Sequence, residues 1–340
     1  MTTRLLMAAA LCTTFGTAPV AARDLMVVTR SNLLAAQREA YFIPFAQAAG
    51  ETLRDGTWSG GLPALRSNAE IWDVVLVDAE DLLTGCAEGL LEKLDWPAVG
   101  GRDHYQPQAA SECGVGAVVH EVVLAWDRDK FPGTPTWSDF WDVAKYPGKR
   151  GLQHGARMNL ELALMADGVA GGDVYRLLRT DDGVDRAFRK LEQIKPYLVW
   201  WKSAAQAPAL VGSGEVLLSS APRDRIAILG QAQASRHFGI QPAGSLYEVA
   251  SWAIVKGSAN EADALKLLAS MGDPAREARF AAEVPLGVLA KGATEGLPPE
   301  QLATSPSNPA ALAVALQVDA QFWHDNAERL DERFDAWLAH

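Results

Sequence analysis

The sequence predicts an α/β protein of two lobes that meet at a hinge and leave a ligand cleft between them. Short apolar, β-rich runs alternate with helical patterns along nearly the whole chain, the rhythm of strand–helix units. The length of 340 residues suits about two domains. Near the middle, residues 127–135 interrupt the rhythm with charges, a glycine and two prolines, as a crossing between lobes would.

The elements follow in chain order. Residues 1–22 read as a secretory signal peptide: Arg4 precedes a short apolar run, Gly16 and Pro19 break it, and Val20-Ala21-Ala22 suits a signal peptidase. The apolar run is shorter than the roughly 20 residues of a membrane span. Cleavage is expected before Arg23, which makes the working protein exported and soluble. Leu11 before Cys12 is not the small residue that lipid attachment wants. Residues 23–29 form a first buried strand, and 37–49 a helix bent or limited by Pro44. Residues 73–77 are a second strand, 81–91 a helix interrupted by Gly85 and Gly89, and 114–126 a long β-rich run. In the second half, 136–143, 160–167 and 183–193 are helical, and 215–220 and 251–255 are strands. A helix over 260–269 carries Asn260 as its cap, and 309–338 reads as one long helical pattern. Strands alternating with helices predict mostly parallel sheets.

Composition narrows the function. The chain has 42 acidic and 31 basic residues, a net charge of −11, which argues against a nucleic-acid partner. Of its three cysteines, Cys12 leaves with the signal. Cys86 and Cys113 remain, and two cysteines in an oxidising compartment usually pair. The bridge would add about 3 kcal/mol on the chain-entropy view; two buried thiols are the other reading. Zinc or redox chemistry is a poor fit, since no CxxC and no His pair at ligand spacing occurs. A phosphate loop, a GxSxG elbow and HExxH are all lacking, and Gly114-Val-Gly116 lacks the third glycine of a dinucleotide site. No enzyme, no metal and no cofactor is expected. Two exported α/β lobes describe a hinged receptor closing on a small solute at the strand ends.

Seven phrases then carry a resemblance. They are AAQREAYFIPF (35–45), WDVVLVDAEDLLTGCAEGLLEKLDW (72–96), SECGVG (111–116), TWSDFWDVAKYPGKRGL (136–152), LELALMADGV (160–169), SWAIVKGSAN (251–260) and QVDAQFWHDNAERLDERFDAW (317–337). Together they resemble the periplasmic substrate-binding proteins of ABC importers, in the spermidine/putrescine-type branch. The resemblance implies a type II-like periplasmic-binding-protein fold of discontinuous lobes. These would be 23–126 plus 251–305, and 127–250 plus 306–340. It also implies a monomer in the periplasm that hands its solute to an ABC permease in the inner membrane. A periplasmic sensor subunit for a membrane kinase would use the same fold, and an exported hydrolase is the remaining alternative.

Family members that take polyamines use aromatic rings and carboxylates. Here the matching places differ. The first strand is followed by Arg30 and Ser31, and the second by Asp78 and Glu80. His120 lies in the long β run, Arg157 before the helix at Leu160, and Arg223 in the turn after EVLLSS. Glu248 takes an aromatic position, and Ala250 stands where an Asp is usual. Arginine holds a carboxylate bidentately, and Asp78, Glu80 or Glu248 can hold an amine. The eight candidates Arg30, Ser31, Asp78, Glu80, His120, Arg157, Arg223 and Glu248 therefore suit an amino-acid-like or opine-like solute. A plain polyamine is the family's ordinary ligand, and surface or interlobe salt bridges are the structural reading of the arginines.

Overall fold

The apolar runs become the strands of a single mixed sheet. The computed structural model describes residues 23–340; the expected signal peptide, with Arg4 and Cys12, lies outside the described residues. The strands are β1 (Leu25–Thr29), β2 (Leu53–Thr57), β3 (Val74–Val77), β4 (Gly114–Asp127) and β5 (Arg150–Gln153). They continue with β6 (Leu198–Trp201), β7 (Leu218–Pro222), β8 (Phe238–Ile254) and β9 (Leu316–Gln317). Their order is β2-β1-β3-β8-β4-β7-β5-β6, with β9 added to β8.

Most strand pairings are parallel, as expected, but the centre of the sheet is not. β1 with β2 and β3, β5 with β6 and β7, and β8 with β9 are parallel. The middle is antiparallel: β4 pairs with β8 from Gly114↔Ala253 to Asp127↔Phe238, and these two strands join the halves. The reason is length. Strands of 14 and 17 residues reach through both halves of the molecule, whereas the shorter strands stay within one.

The two cores confirm that reach. One packs Val115, Val118 and Val119 of β4 and Val249, Trp252 and Ile254 of β8 with Tyr41, Phe42, Phe45 and Phe280. The other packs Leu124 and Trp126 of β4 and Leu246 of β8 with Phe140, Leu162, Trp323 and Phe334. The chain therefore passes from core to core inside β4. Residues 127–135, expected to be the crossing, instead lie against the second core, where Phe131 is buried. Asp127 turns the chain there by accepting the Asp129 N–H.

Other expectations shift for local reasons. Around Pro44 the chain forms a π-helical turn (Arg38–Phe42) leading into the helix Ile43–Ala49. Such a turn relieves the clash and missing donor that proline brings to a regular helix. The C-terminal pattern is broken: a short helix Pro309–Leu312, then β9, then the helix Ala320–Ala339, whose start Asp319 caps by accepting the Phe322 N–H. Asn260 precedes the helix Glu261–Met271, but its side chain does not cap it. It donates instead to the Arg23 carbonyl and to Asp73.

Asp73 is the polar anchor of the first core. Its fully buried carboxylate accepts from Arg23 at 2.6 and 2.8 Å, the Met26 N–H, Ser258 Oγ and Asn260 Nδ2. Burial pushes its pKa up, but these donors outweigh burial and hold it below the ordinary value of 3.8. Cys86, in the helix Ala79–Ala87, is bonded to Cys113, with Cα atoms 5.7 Å apart. The bridge ties the helix after β3 to the base of β4.

Two outcomes follow. Asp73→Asn should lower unfolding stability by about 3 kcal/mol at pH 7 in urea denaturation, the scale of breaking a buried ion pair. Because the folded pKa is depressed, the Asp73 contribution is present above about pH 4 and fades as pH falls through the folded value. The gap between wild type and variant should narrow on acidification; a gap independent of pH would contradict the linkage. Replacing Cys86 and Cys113 together by Ala should cost about 3 kcal/mol in the same assay.

Candidate functional site

The carboxyl ends of β1 and β3 in one half and of β5 in the other converge toward the middle of the β4–β8 ribbon. Five of the eight candidates meet here in two groups. Arg30, following β1, pairs with Asp78, following β3, at 2.5 Å, and its guanidinium lies over Trp58 at 5.1 Å. It fills the space beside Gly60, where a Cβ would come within 2.7 Å of it. Asp78 opens the helix Ala79–Ala87, which carries Glu80 on its first turn.

Arg157 is the centre of the second group. Its guanidinium bonds to Glu80 from the first half and to Glu248 of β8, with its Nε 3.1 Å from Glu248 Oε1. Burial disfavours the arginine's charge, but Glu248 and Glu80 more than offset it and hold Arg157 protonated more firmly than usual. One guanidinium against two carboxylates leaves the group with one net negative charge. His120 is the cross-strand partner of Glu248 and shares its face of the ribbon.

Two supports under Arg157 escaped the sequence reading. Trp323, at the start of the last helix, lies beneath its guanidinium at 6.0 Å and donates from Nε1 to Glu161 at 2.6 Å. The same Glu161 oxygen accepts from the Tyr175 hydroxyl at 2.7 Å. Glu161 is fully buried, and burial raises its pKa against those bonds. The available signal was an acid in the otherwise apolar stretch 160–166. Trp323 carried none, because a buried core tryptophan and a platform read alike. Met158, next to Arg157, has φ 67°, the one non-glycine residue with positive φ among those described. Such a conformation is strained. Here it turns the chain between Arg157 and the helix Asn159–Ala166.

The remaining candidates lie apart. Ser31 is exposed in the turn after β1. Arg223 opens the helix Arg223–Ala232 and forms a buried ion pair with Glu121. Glu121 and Tyr247 face each other across the ribbon, as His120 and Glu248 do one residue on. Alternation puts the two pairs on opposite faces. Arg223 is thus behind the ribbon and Arg157 in front.

Charged groups converging beside the β4–β8 ribbon, between the two cores it joins, define a receptor for a small polar solute. The chain belongs to a known family of such receptors: residues 55–310 match the bacterial extracellular solute-binding proteins. It is 41% identical over 310 residues to a gamma-aminobutyric acid-binding protein of Pseudomonas aeruginosa, covering 90% of this chain and 88% of that one. An ABC transporter substrate-binding protein from Bradyrhizobium japonicum has a TM-score of 0.81 at 32% identity, over 92% of this chain and 99% of that one. A gamma-aminobutyric acid (GABA) receptor of known structure has a TM-score of 0.80 at 25% identity, over 93% and 98%. These relatives are binding proteins, and this chain is a binding protein, not an enzyme.

Met158→Gly should stabilise the protein by about 1 kcal/mol in urea denaturation, since glycine adopts positive φ without the Cβ penalty. A loss of stability would mean that the Met158 side chain contributes more packing than its backbone costs.

Proposed function

We propose that the protein captures a small ω-amino acid of the GABA type in the periplasm and presents it to an ABC permease. The observation that carries this reading is the Arg157 group, a guanidinium held between Glu80 and Glu248. A zwitterion exchanges into it without loss of ion pairs. Its carboxylate takes the place of one glutamate on Arg157, and its ammonium pairs with the glutamate released. A diammonium solute has no group to offer Arg157 and meets its like charge. The names of the two GABA-binding relatives agree with the zwitterion.

Closure is a rotation of the two lobes about the β4–β8 ribbon, with the lobe of the first core on one side and that of the second core on the other. The hinge lies in the stretch of β4 and β8 around His120 and Glu248, with the chain leading into β9 as a third connection. The register shifts in β4 between Gly116 and Val118 and between Val122 and Leu124 flank that stretch, and bulges are where a strand bends most readily.

Titration calorimetry on the chain from Arg23 onward tests the reading. GABA should bind, whereas butyrate, butylamine and putrescine should bind at least tenfold more weakly. Putrescine binding more tightly than GABA would overturn it. Arg157→Gln should weaken GABA binding by a hundredfold or more, the usual scale for cutting one partner of a desolvated charge pair. Arg157→Lys should recover only part of it, because an ammonium cannot hold a carboxylate in bidentate fashion.

A further inference from the structure

A cavity of about 570 Å³ lies between the two halves of the molecule and is distinct from the Arg157 group. One wall belongs to the second half: Ile226, Phe238 and Ile240. The other belongs to the first: Val284, Leu286 and Leu297. Arg223 lines it and is tied to Glu121, which places the cavity on the ribbon face opposite His120 and Glu248. Arg128 stands exposed at its edge, and its guanidinium has no ion-pair partner among the described residues. The lining residues include two arginines and one acid, Glu283. Its volume falls in the range of small-molecule sites.

We propose that this rear cavity is a second binding site, for a small anion with an apolar body such as a medium-chain monocarboxylate. The aliphatic and aromatic walls bury the body, and Arg128 holds the anionic head. The two faces of the ribbon also fix how the sites communicate. A rotation about β4 and β8 that narrows the front gap widens the rear one. An occupant that fills the rear cavity binds the front-closed state better and shifts the protein toward it. By linkage, solute in front must then tighten binding behind by the same factor.

The fluorescent anion 8-anilinonaphthalene-1-sulfonate, with octanoate as competitor, serves as probe. The folded protein should bind one probe molecule, and octanoate should displace it. Octanol displacing it equally well would overturn the assignment of an anion. Gly230 lines the cavity, and a Cβ added there meets nothing within 4 Å. The Cβ of Gly230→Phe therefore meets open space, and the substitution puts a ring at the cavity wall, at a helix position where losing glycine favours folding. It should abolish probe binding with the circular dichroism unchanged. Arg128→Gln should weaken it about tenfold, the scale of one charge-assisted bond. Unaltered binding in both variants, or no binding to the wild type, sinks the site. Saturating GABA should tighten probe binding, and weakening would refute the coupling. A protein that binds the probe but not GABA would retain the rear site while the proposed function fails.

Discussion

The antiparallel pairing of β4 with β8 is the constraint on which the rest depends. Each strand contributes buried side chains to both large cores, so neither lobe can form its core without the ribbon that joins it to the other. Loops would leave the lobes free to wander. Two long hydrogen-bonded strands instead fix the line about which they turn and the face on which they meet. The disulfide and the Asp73 cluster act on the same constraint from the first lobe. Cys113 lies just before β4, and Ser258 just after β8. Both hold the ends of the ribbon to the core that surrounds it.

Charge at the front of the ribbon obeys a stricter rule than charge elsewhere. Most ion pairs of this protein are exposed, and such pairs contribute little. Arg157 is different because its two partners come from different parts of the chain and burial favours keeping all three groups paired. Trp323 and Glu161 build a rigid base under it, and the positive φ of Met158 holds the chain in the turn that presents it. Behind the ribbon, Arg223 and Glu121 form a buried pair at the wall of the rear cavity. One strand thus serves two environments by alternation alone.

Several features were legible in the residues. Alternating apolar runs and helices gave the α/β class, Cys86 and Cys113 pair as expected, and the residues after the strands supplied Arg30, Asp78, Glu80 and Arg157, which the fold brings together with Glu248 of β8. The helix over 183–193 falls at Asp181–Glu192. The antiparallel centre of the sheet was not legible because local pattern reports that a strand exists, not how it pairs. Residues 127–135 looked like a crossing because loop composition is the same whether a loop joins lobes or packs on one. Asn260 looked like a cap because its distant partner, Asp73, cannot be seen from its neighbours.

What the sequence determined by itself is therefore what depends on near neighbours: element type, the residue types that follow the strands, and the family. Only the tertiary structure decided which arginine faces the front cleft and which lines the cavity behind the ribbon. Arg157 and Arg223 both precede a helix and follow a strand of the second half, and nothing adjacent distinguishes them. Their roles differ because Glu248 and Glu121 point to opposite faces of the ribbon, and facing is settled by long-range pairing rather than by local pattern.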